Sequence, residues 1–158
     1  MKLWRIAADT PDYTADDVSG KGAEITGGRW NREGTPLLYT STSRALACLE
    51  TFAHLNAGAK LPLNRYLVEI DIPDKAWQER AQFGATDFIG WDAEPAGKVS
   101  LDWGTEWVRE LTTLMAGVPS LIVAEESNVL INPAHPDAAA VTCEKIRKWL
   151  FDPRLMGT

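Results

Sequence analysis

Leu37-Leu38-Tyr39-Thr40-Ser41 and the run behind it, Thr42-Ser43-Arg44-Ala45-Leu46-Ala47-Cys48-Leu49-Glu50, decide the fold class. Gly34-Thr35-Pro36 reads as a turn, so Leu37 to Thr40 is expected as a short apolar strand. Thr42 or Ser43 then caps a helix with a side-chain oxygen. Ala45, Leu46, Leu49, Phe52 and Ala53 recur at helical spacing and are expected to form its buried face. At about 100° per residue, Glu50 falls at the margin of that face, and His54 shares its ridge one turn later. A strand running directly into an amphipathic helix points to a domain that mixes both element types.

The surrounding chain supports that class. Lys2 to Ala7 alternates as a first strand, and residues 8–26, rich in Asp, Thr, Gly and Ser, read as a long loop. Arg65 to Ile72 is the clearest strand: Tyr66, Val68, Ile70 and Ile72 share one face, Glu69 and Asp71 the other, and Pro73 ends it. Residues 74–101 read as irregular, with Trp77, Phe83, Phe88 and Trp91 closing over the core. A second helix is expected from Thr105 to Met115, burying Trp107, Leu111, Leu114 and Met115, with Gly117-Val118-Pro119 as its stop. Strands are expected at Ser120–Ala124 and Asn128–Pro133. The tail 138–151 is open: an Ala-rich start favours helix, while Val141-Thr142-Cys143 and Trp149-Leu150-Phe151 suit strands. No repeat or linker interrupts the chain, and one α+β domain over 1–158 is expected.

Composition excludes several function classes. At 158 residues the chain can bury roughly two thirds of its unfolded surface. A formal net charge of −6, with the 16 Lys and Arg scattered, argues against direct nucleic-acid binding, which needs a basic patch. No apolar run approaches the ~20 residues of a membrane span, and Met1-Lys2-Leu3-Trp4-Arg5 lacks the core of a signal peptide. A cytoplasmic protein with no membrane association is expected. Cys48 and Cys143 lie far apart, and His54 and His135 are the only histidines, so no metal site is expected.

A few residues carry candidate chemistry. Arg29, in Gly27-Gly28-Arg29-Trp30-Asn31, can grip a phosphate through two parallel hydrogen bonds while the glycines admit the anion; a surface arginine beside a turn is the competing reading. Tyr39 can stack on a flat ring or stand as a core tyrosine with its hydroxyl at the rim. Glu50, bordering a cleft, can stabilise a ribosyl cation or hold a ribose hydroxyl; otherwise it pairs with Arg44 or Lys60. Ser120 lacks the elbow of a serine hydrolase and reads as a hydrogen-bond donor to a ligand, where a helix hands over to a strand. His54 can orient Glu50 or serve as a base for Ser120, or be a satisfied polar group. Asn128 and the Asn132-Pro133 run read as turn and strand-end chemistry, Asn128 being the exception with a direct role. Arg29, Tyr39 and Glu50 together suit a substrate with phosphates, a flat ring and a sugar carbon about to become positive, as in NAD.

In order along the chain, these segments resemble the RES-domain family, whose name comes from an Arg, a Glu and a Ser. The matching residues are Arg29, Tyr39 in Leu-Leu-Tyr-Thr-Ser, Glu50 in Ala-Leu-Ala-Cys-Leu-Glu, His54, Ser120 in Val-Pro-Ser, and Asn128 with Asn132-Pro133. Leu3-Trp4-Arg5-Ile6 and Phe151-Asp152-Pro153-Arg154-Leu155 resemble the family's edges; Ser127 competes with Ser120, whose proline context is favoured. The resemblance implies an ADP-ribosyltransferase-like fold with a mixed, largely antiparallel sheet flanked by helices. It implies a toxin of a bacterial toxin–antitoxin pair that cleaves the nicotinamide–ribose bond of NAD. ADP-ribose would go to a protein acceptor, which is favoured, or to water or phosphate. Arg29 would hold the NAD phosphates or ribose, Tyr39 would pack on nicotinamide, and Glu50 would stabilise the developing cation. His54, Ser120 and Asn128 would complete the substrate-binding set. A cognate antitoxin would bind directly over the active site. The segment from Pro73 to Asp102 matches no family motif and is a candidate for shaping the acceptor site. A non-catalytic module that keeps the fold and binds a nucleotide or partner is the alternative; an RNase-type toxin conflicts with the acidic charge.

Overall fold

The computed structural model describes residues 1–55 and 61–156; Lys60, one expected partner of Glu50, lies outside them. Strands β1 (Lys2–Ala8), β2 (Leu38–Ser41), β3 (Arg65–Asp71), β4 (Ala81–Gln82), β5 (Met115–Pro119), β6 (Ser127–Ile131) and β7 (Thr142–Lys148) form one sheet. Their spatial order is β4-β5-β6-β2-β1-β3-β7. Among the described residues only the β4/β5 pair is parallel; the other neighbours run antiparallel. Helices α1 (Lys21–Thr26), α2 (Arg44–Ala53), α3 (Asp74–Gln78) and α4 (Lys98–Glu110) complete the expected α+β architecture, with 3₁₀ turns at Pro136–Ala140 and Pro153–Met156.

Register sorts the side chains onto two faces, because successive residues of a strand point opposite ways. Trp4 stands opposite Ser41, Ser41 opposite Asn128, and Asn128 opposite Val118. One face therefore carries Trp4, Tyr39, Ser41, Val118, Asn128 and Leu130. Over it lies α2, whose Ala47 packs with Trp4, Ile6, Leu67 and Phe151. On the same face, α4 packs Trp107 and Val108 against Trp30, Ala116, Val118 and Leu130. The other face buries Leu3, Leu38, Val68, Ile70, Met115, Val129 and Ile131 in a separate cluster. Ser41 and Asn128 thus sit in a polar strip between two apolar clusters on one face.

Several expected boundaries shift. Ser43 caps α2, accepting from the Leu46 amide, but the buried residues are Leu46 and Ala47, while Ala45, Leu49 and Ala53 are exposed. The helix is turned so that Glu50 faces the sheet, where two donors meet its carboxylate; apolar spacing alone does not register that contact. The loop 8–26 contains α1, a six-residue helix with an internal glycine and no side-chain cap, too short for periodicity to reveal. The stretch 74–101 is not wholly irregular: it holds α3, β4 and the start of α4. Its aromatics do close over the core, Phe83 stacking on Phe88 and meeting Trp91 edge-on.

The largest correction concerns 98–124. α4 begins at Lys98 and ends at Glu110, and Leu111 terminates it in the left-handed region at φ 54, 41% exposed rather than buried. Met115 to Pro119, expected to finish and stop that helix, is instead the buried strand β5. Residues 121–124, expected as strand, are turn and bend, with Leu121 and Ile122 exposed. Ser120 consequently follows a strand instead of preceding one. The open tail resolves as a 3₁₀ turn leading into edge strand β7.

Candidate active site

The turn after α1 folds back on itself through a bridge between Gly28 and Asn31. A Cβ at Gly28 would stand 2.6 Å from the Tyr39 hydroxyl, so only glycine lets the turn rest on that ring. Asn31, fully buried, anchors the turn by donating from Nδ2 to the carbonyls of Ala23 and Thr35, both at 2.8 Å. Its Oδ1 accepts the Tyr39 hydroxyl at 2.7 Å, and that hydroxyl accepts the Trp30 amide at 2.9 Å. Burial pushes the Tyr39 phenol far above its ordinary value, opposed by the bond from Trp30 and the nearby Arg29 charge. Tyr39 is therefore a neutral phenol with a wholly internal hydrogen-bond pattern, and it packs against the Trp30 cluster.

Arg29 sits at the tip of the turn and reaches across to the 91–94 segment. It donates to the carbonyls of Trp91 at 3.1 Å and Ala93 at 2.8 Å, and pairs with Glu94 Oε2 at 2.7 Å. Its side chain is only 16% exposed, whereas Glu94 is 76% exposed.

Glu50, Ser120 and Asn128 meet directly, although they come from α2, the end of β5 and β6. Ser120 Oγ donates to Glu50 Oε1 at 2.7 Å while accepting the Ile122 and Val123 amides at 3.1 and 3.0 Å. Asn128 Nδ2 donates to the same Oε1, and Asn128 Oδ1 accepts from Ser41 Oγ at 2.7 Å. Ser41 lies two residues beyond Tyr39 on the same face of β2, roughly 7 Å along the strand. β2 thereby joins the Arg29–Tyr39 half of the site to the Glu50 half.

The remaining expected residues lie apart from this network. His54 is the exposed C-cap of α2 and shares no hydrogen bond with Glu50 or Ser120 among the described residues. Ser127 offers its backbone carbonyl to Thr42, not a side chain to the carboxylate. Asn132 and His135 do local work: Asn132 bonds the Val108 carbonyl and the Ala134 amide, and His135 accepts from the Asp137 amide. Arg44, another expected partner of Glu50, instead lies over the Trp4 ring at 3.6 Å. Asn31 and Ser41 went unassigned by sequence reasoning; the signal for Ser41 was its period-two relation to Tyr39.

Chemically, the site offers an acceptor-only carboxylate held by two neutral donors, a neutral phenol, an aromatic wall and a guanidinium. Among the described residues, no group of three or more His, Cys, Asp or Glu is placed to hold a metal ion, and no helix is long and apolar enough to cross a membrane. An open groove of about 650 Å³ runs elsewhere, along α4 between Gln82, Phe88, Trp103 and Glu106. None of Arg29, Tyr39, Glu50, Ser120 or Asn128 lines it, so the hydrogen-bonded strip is the better candidate.

A strand-borne Tyr, an inward helical Glu and a Ser after a strand, in that chain order behind Gly-Gly-Arg, place the chain in a known class. The RES domain family profile matches residues 2–153, and the chain belongs to that family. Among its relatives, the "Prs ADP-ribosylating toxin" of Sphingobium sp. (strain YBL2) is 57% identical over 156 residues, covering 98% of this chain and 96% of the relative. A "Toxin Res" of Yersinia enterocolitica is 35% identical over 157 residues, covering 98% and 99% respectively. Another "Toxin Res", from Pseudomonas putida, is 35% identical over 156 residues, with the same coverage.

Proposed function

We propose that this chain is the toxin of a toxin–antitoxin pair, a single RES-type domain over 1–158 that acts in the cytoplasm. It cleaves the nicotinamide–ribose bond of NAD and transfers ADP-ribose to a protein. The observation that carries the reading is Glu50, whose Oε1 takes hydrogen bonds from both Ser120 and Asn128. A carboxylate fixed in this way is a preorganised negative charge, the element that stabilises a ribosyl cation. As the bond between nicotinamide nitrogen and ribose carbon breaks, its electron pair leaves with the nicotinamide, and the positive carbon faces Glu50. An acceptor nucleophile then attacks that carbon and loses its proton.

Tyr39 and the tryptophans beside it supply the flat surface for nicotinamide. Arg29 binds the pyrophosphate by exchanging the Glu94 carboxylate and the 91–93 carbonyls for phosphate oxygens. His54 lies at the rim, one turn from Glu50. The ADP-ribosyltransferase-like fold of the resemblance is consistent with the mixed sheet, one face of which carries Tyr39 and Asn128 and meets Glu50 from α2. The name of the Sphingobium relative supports Prs as the acceptor here. The exposed apolar side chains Leu49, Leu121 and Ile122 adjoin Glu50 and Ser120 in sequence and suit coverage of the site by an antitoxin.

The test is nicotinamide release from NAD by the purified protein, with labelled NAD and purified Prs as a second arm. Arg29→Ala and Glu50→Gln should each lower the rate about 10²–10³-fold, and label should appear on Prs. Equal rates in wild type and variants would overturn the assignment. The Arg29 guanidinium, already bonded to two carbonyls and the Glu94 carboxylate, favours one rival, a module that binds without turnover; tight NAD binding with no nicotinamide release would establish it.

A further inference from the structure

We infer that Ser41 is a positioning residue for the Glu50 carboxylate, acting through Asn128, and that Glu50 Oε2 is the oxygen presented to substrate. This rests on the reading of Glu50 as the working carboxylate.

Ser41 closes β2 and is 3% exposed, a place where an apolar residue would ordinarily be cheaper. Its hydroxyl is paired across the sheet with Asn128, its register partner. A carboxylate can only accept, so Asn128 must turn its NH₂ toward Glu50, and its Oδ1 then faces Ser41. The Ser41 hydroxyl must therefore donate, which directs its proton onto that oxygen. On the other side, Ser120 Oγ receives two backbone amides, and its proton is left for Glu50.

Both chains of donors end on Oε1, and among the described residues none ends on Oε2. Rotating the carboxylate would break both bonds at once, so Oε1 anchors and Oε2 works. Without the Ser41 hydroxyl, Asn128 Oδ1 loses its buried donor. The amide is then free to tilt, and one of the two anchors on Oε1 loosens.

Steady-state nicotinamide release by Ser41→Ala, Ser41→Thr, Asn128→Ala and the double variant Ser41→Ala/Asn128→Ala tests this. Ser41→Ala should lower kcat about tenfold with little change in KM for NAD, as expected for loss of one orienting hydrogen bond. Ser41→Thr, which keeps the hydroxyl, should restore most of the rate. The double variant should be no slower than Asn128→Ala alone, since two residues in one chain are not additive. Independent multiplicative losses, or an unchanged Ser41→Ala rate beside a slow Asn128→Ala, would overturn the relay.

A second readout needs no turnover. The side-chain NH₂ signals of Asn128 in a ¹⁵N spectrum, assigned by their absence in Asn128→Ala, should shift in Ser41→Ala and return in Ser41→Thr. An unmoved signal also overturns the inference. Turnover by Glu50→Gln at the wild-type rate would instead remove the reading beneath it, whatever the NH₂ signals show.

Discussion

The Tyr39 hydroxyl receives the Trp30 amide and gives its proton to Asn31, so it stitches the Arg29 turn to β2. Tyr39→Phe keeps the ring and its packing but strands a buried acceptor and a backbone donor. The expected cost is about 1–3 kcal/mol, read as a lower urea midpoint with an unchanged slope. Nicotinamide release should fall less than in Glu50→Gln, because the stacking surface remains. Asn128→Asp tests the other half of the site. Two carboxylates at hydrogen-bond distance cannot both stay charged, so the pair retains a proton and Glu50 loses part of its negative charge. The variant should be slower than the wild type at neutral pH, and the gap should narrow as pH rises and the shared proton leaves; kcat against pH reads this directly. Tyr39, Glu50, Ser120 and Asn128 were all legible as candidates, since each is a polar group at the edge of an apolar run. Their partners were not: Ser41 and Asn31 look like ordinary strand-end and turn residues until strand pairing brings their oxygens and nitrogens together.

α4 shows why elements are harder to read than residues. Leu114 to Val118 is apolar enough to continue a helix, and the real terminator is Leu111 at φ 54, a conformation that costs a leucine about 1–2 kcal/mol and leaves no mark on composition. Once the helix ends there, the apolar run becomes a central strand and Ser120 moves to its end. The well-read elements, β3 and the capped start of α2, carry their own punctuation in Pro73 and Ser43. Gly104 gives this region its sharpest test. It lies inside α4, where glycine is ordinarily replaced by alanine with a gain of up to about 1 kcal/mol. Here a Cβ would stand 1.9 Å from the Trp30 carbonyl oxygen and 2.8 Å from its carbon. Neither is a flexible tip that can swing away, so the helix or the Arg29 turn must shift. Gly104→Ala should destabilise by about 1–3 kcal/mol or more, and NAD turnover should fall with it as the turn moves. A stabilised variant would show that α4 does not press on that backbone.

At the scale of the molecule, the α+β class was legible from alternation and turn residues and the largely antiparallel sheet from the family resemblance, but which face carries the site was not. That depends on strand order: β2 lies between β6 and β1, which sets Ser41 beside Asn128 and beneath α2. The same ordering leaves β7 at an edge, tied to the segment after β1 by Lys145. Its ammonium bonds both oxygens of Asp9, at 2.9 and 3.0 Å, and reaches Asp16 at 3.5 Å. The Lys145 hydrogen bond holds the Asp9 carboxyl below the usual carboxylate range, and a Thr14 hydrogen bond does the same for Asp16. Arg32, with Lys98, lowers Asp102, and Arg154 lowers Asp152. Carboxyls depressed in the folded chain bind protons first in the unfolded one, so their contribution is whole above the ordinary carboxylate range and is lost as pH falls through their folded values. Lys145 is raised, chiefly by the bond it donates to Asp9, so its contribution is whole below the ordinary lysine value and fades only as pH rises through the folded one. Urea midpoints should therefore hold between these limits and fall on acidification below about pH 4. All these groups are solvent-screened, so added salt should shrink the fall. Lys145→Met should lower the neutral midpoint and shrink the fall without removing it, because Asp102 and Asp152 keep their own partners. A fall of full size in Lys145→Met would show that the clamp between β7 and Asp9 adds nothing to pH-dependent stability.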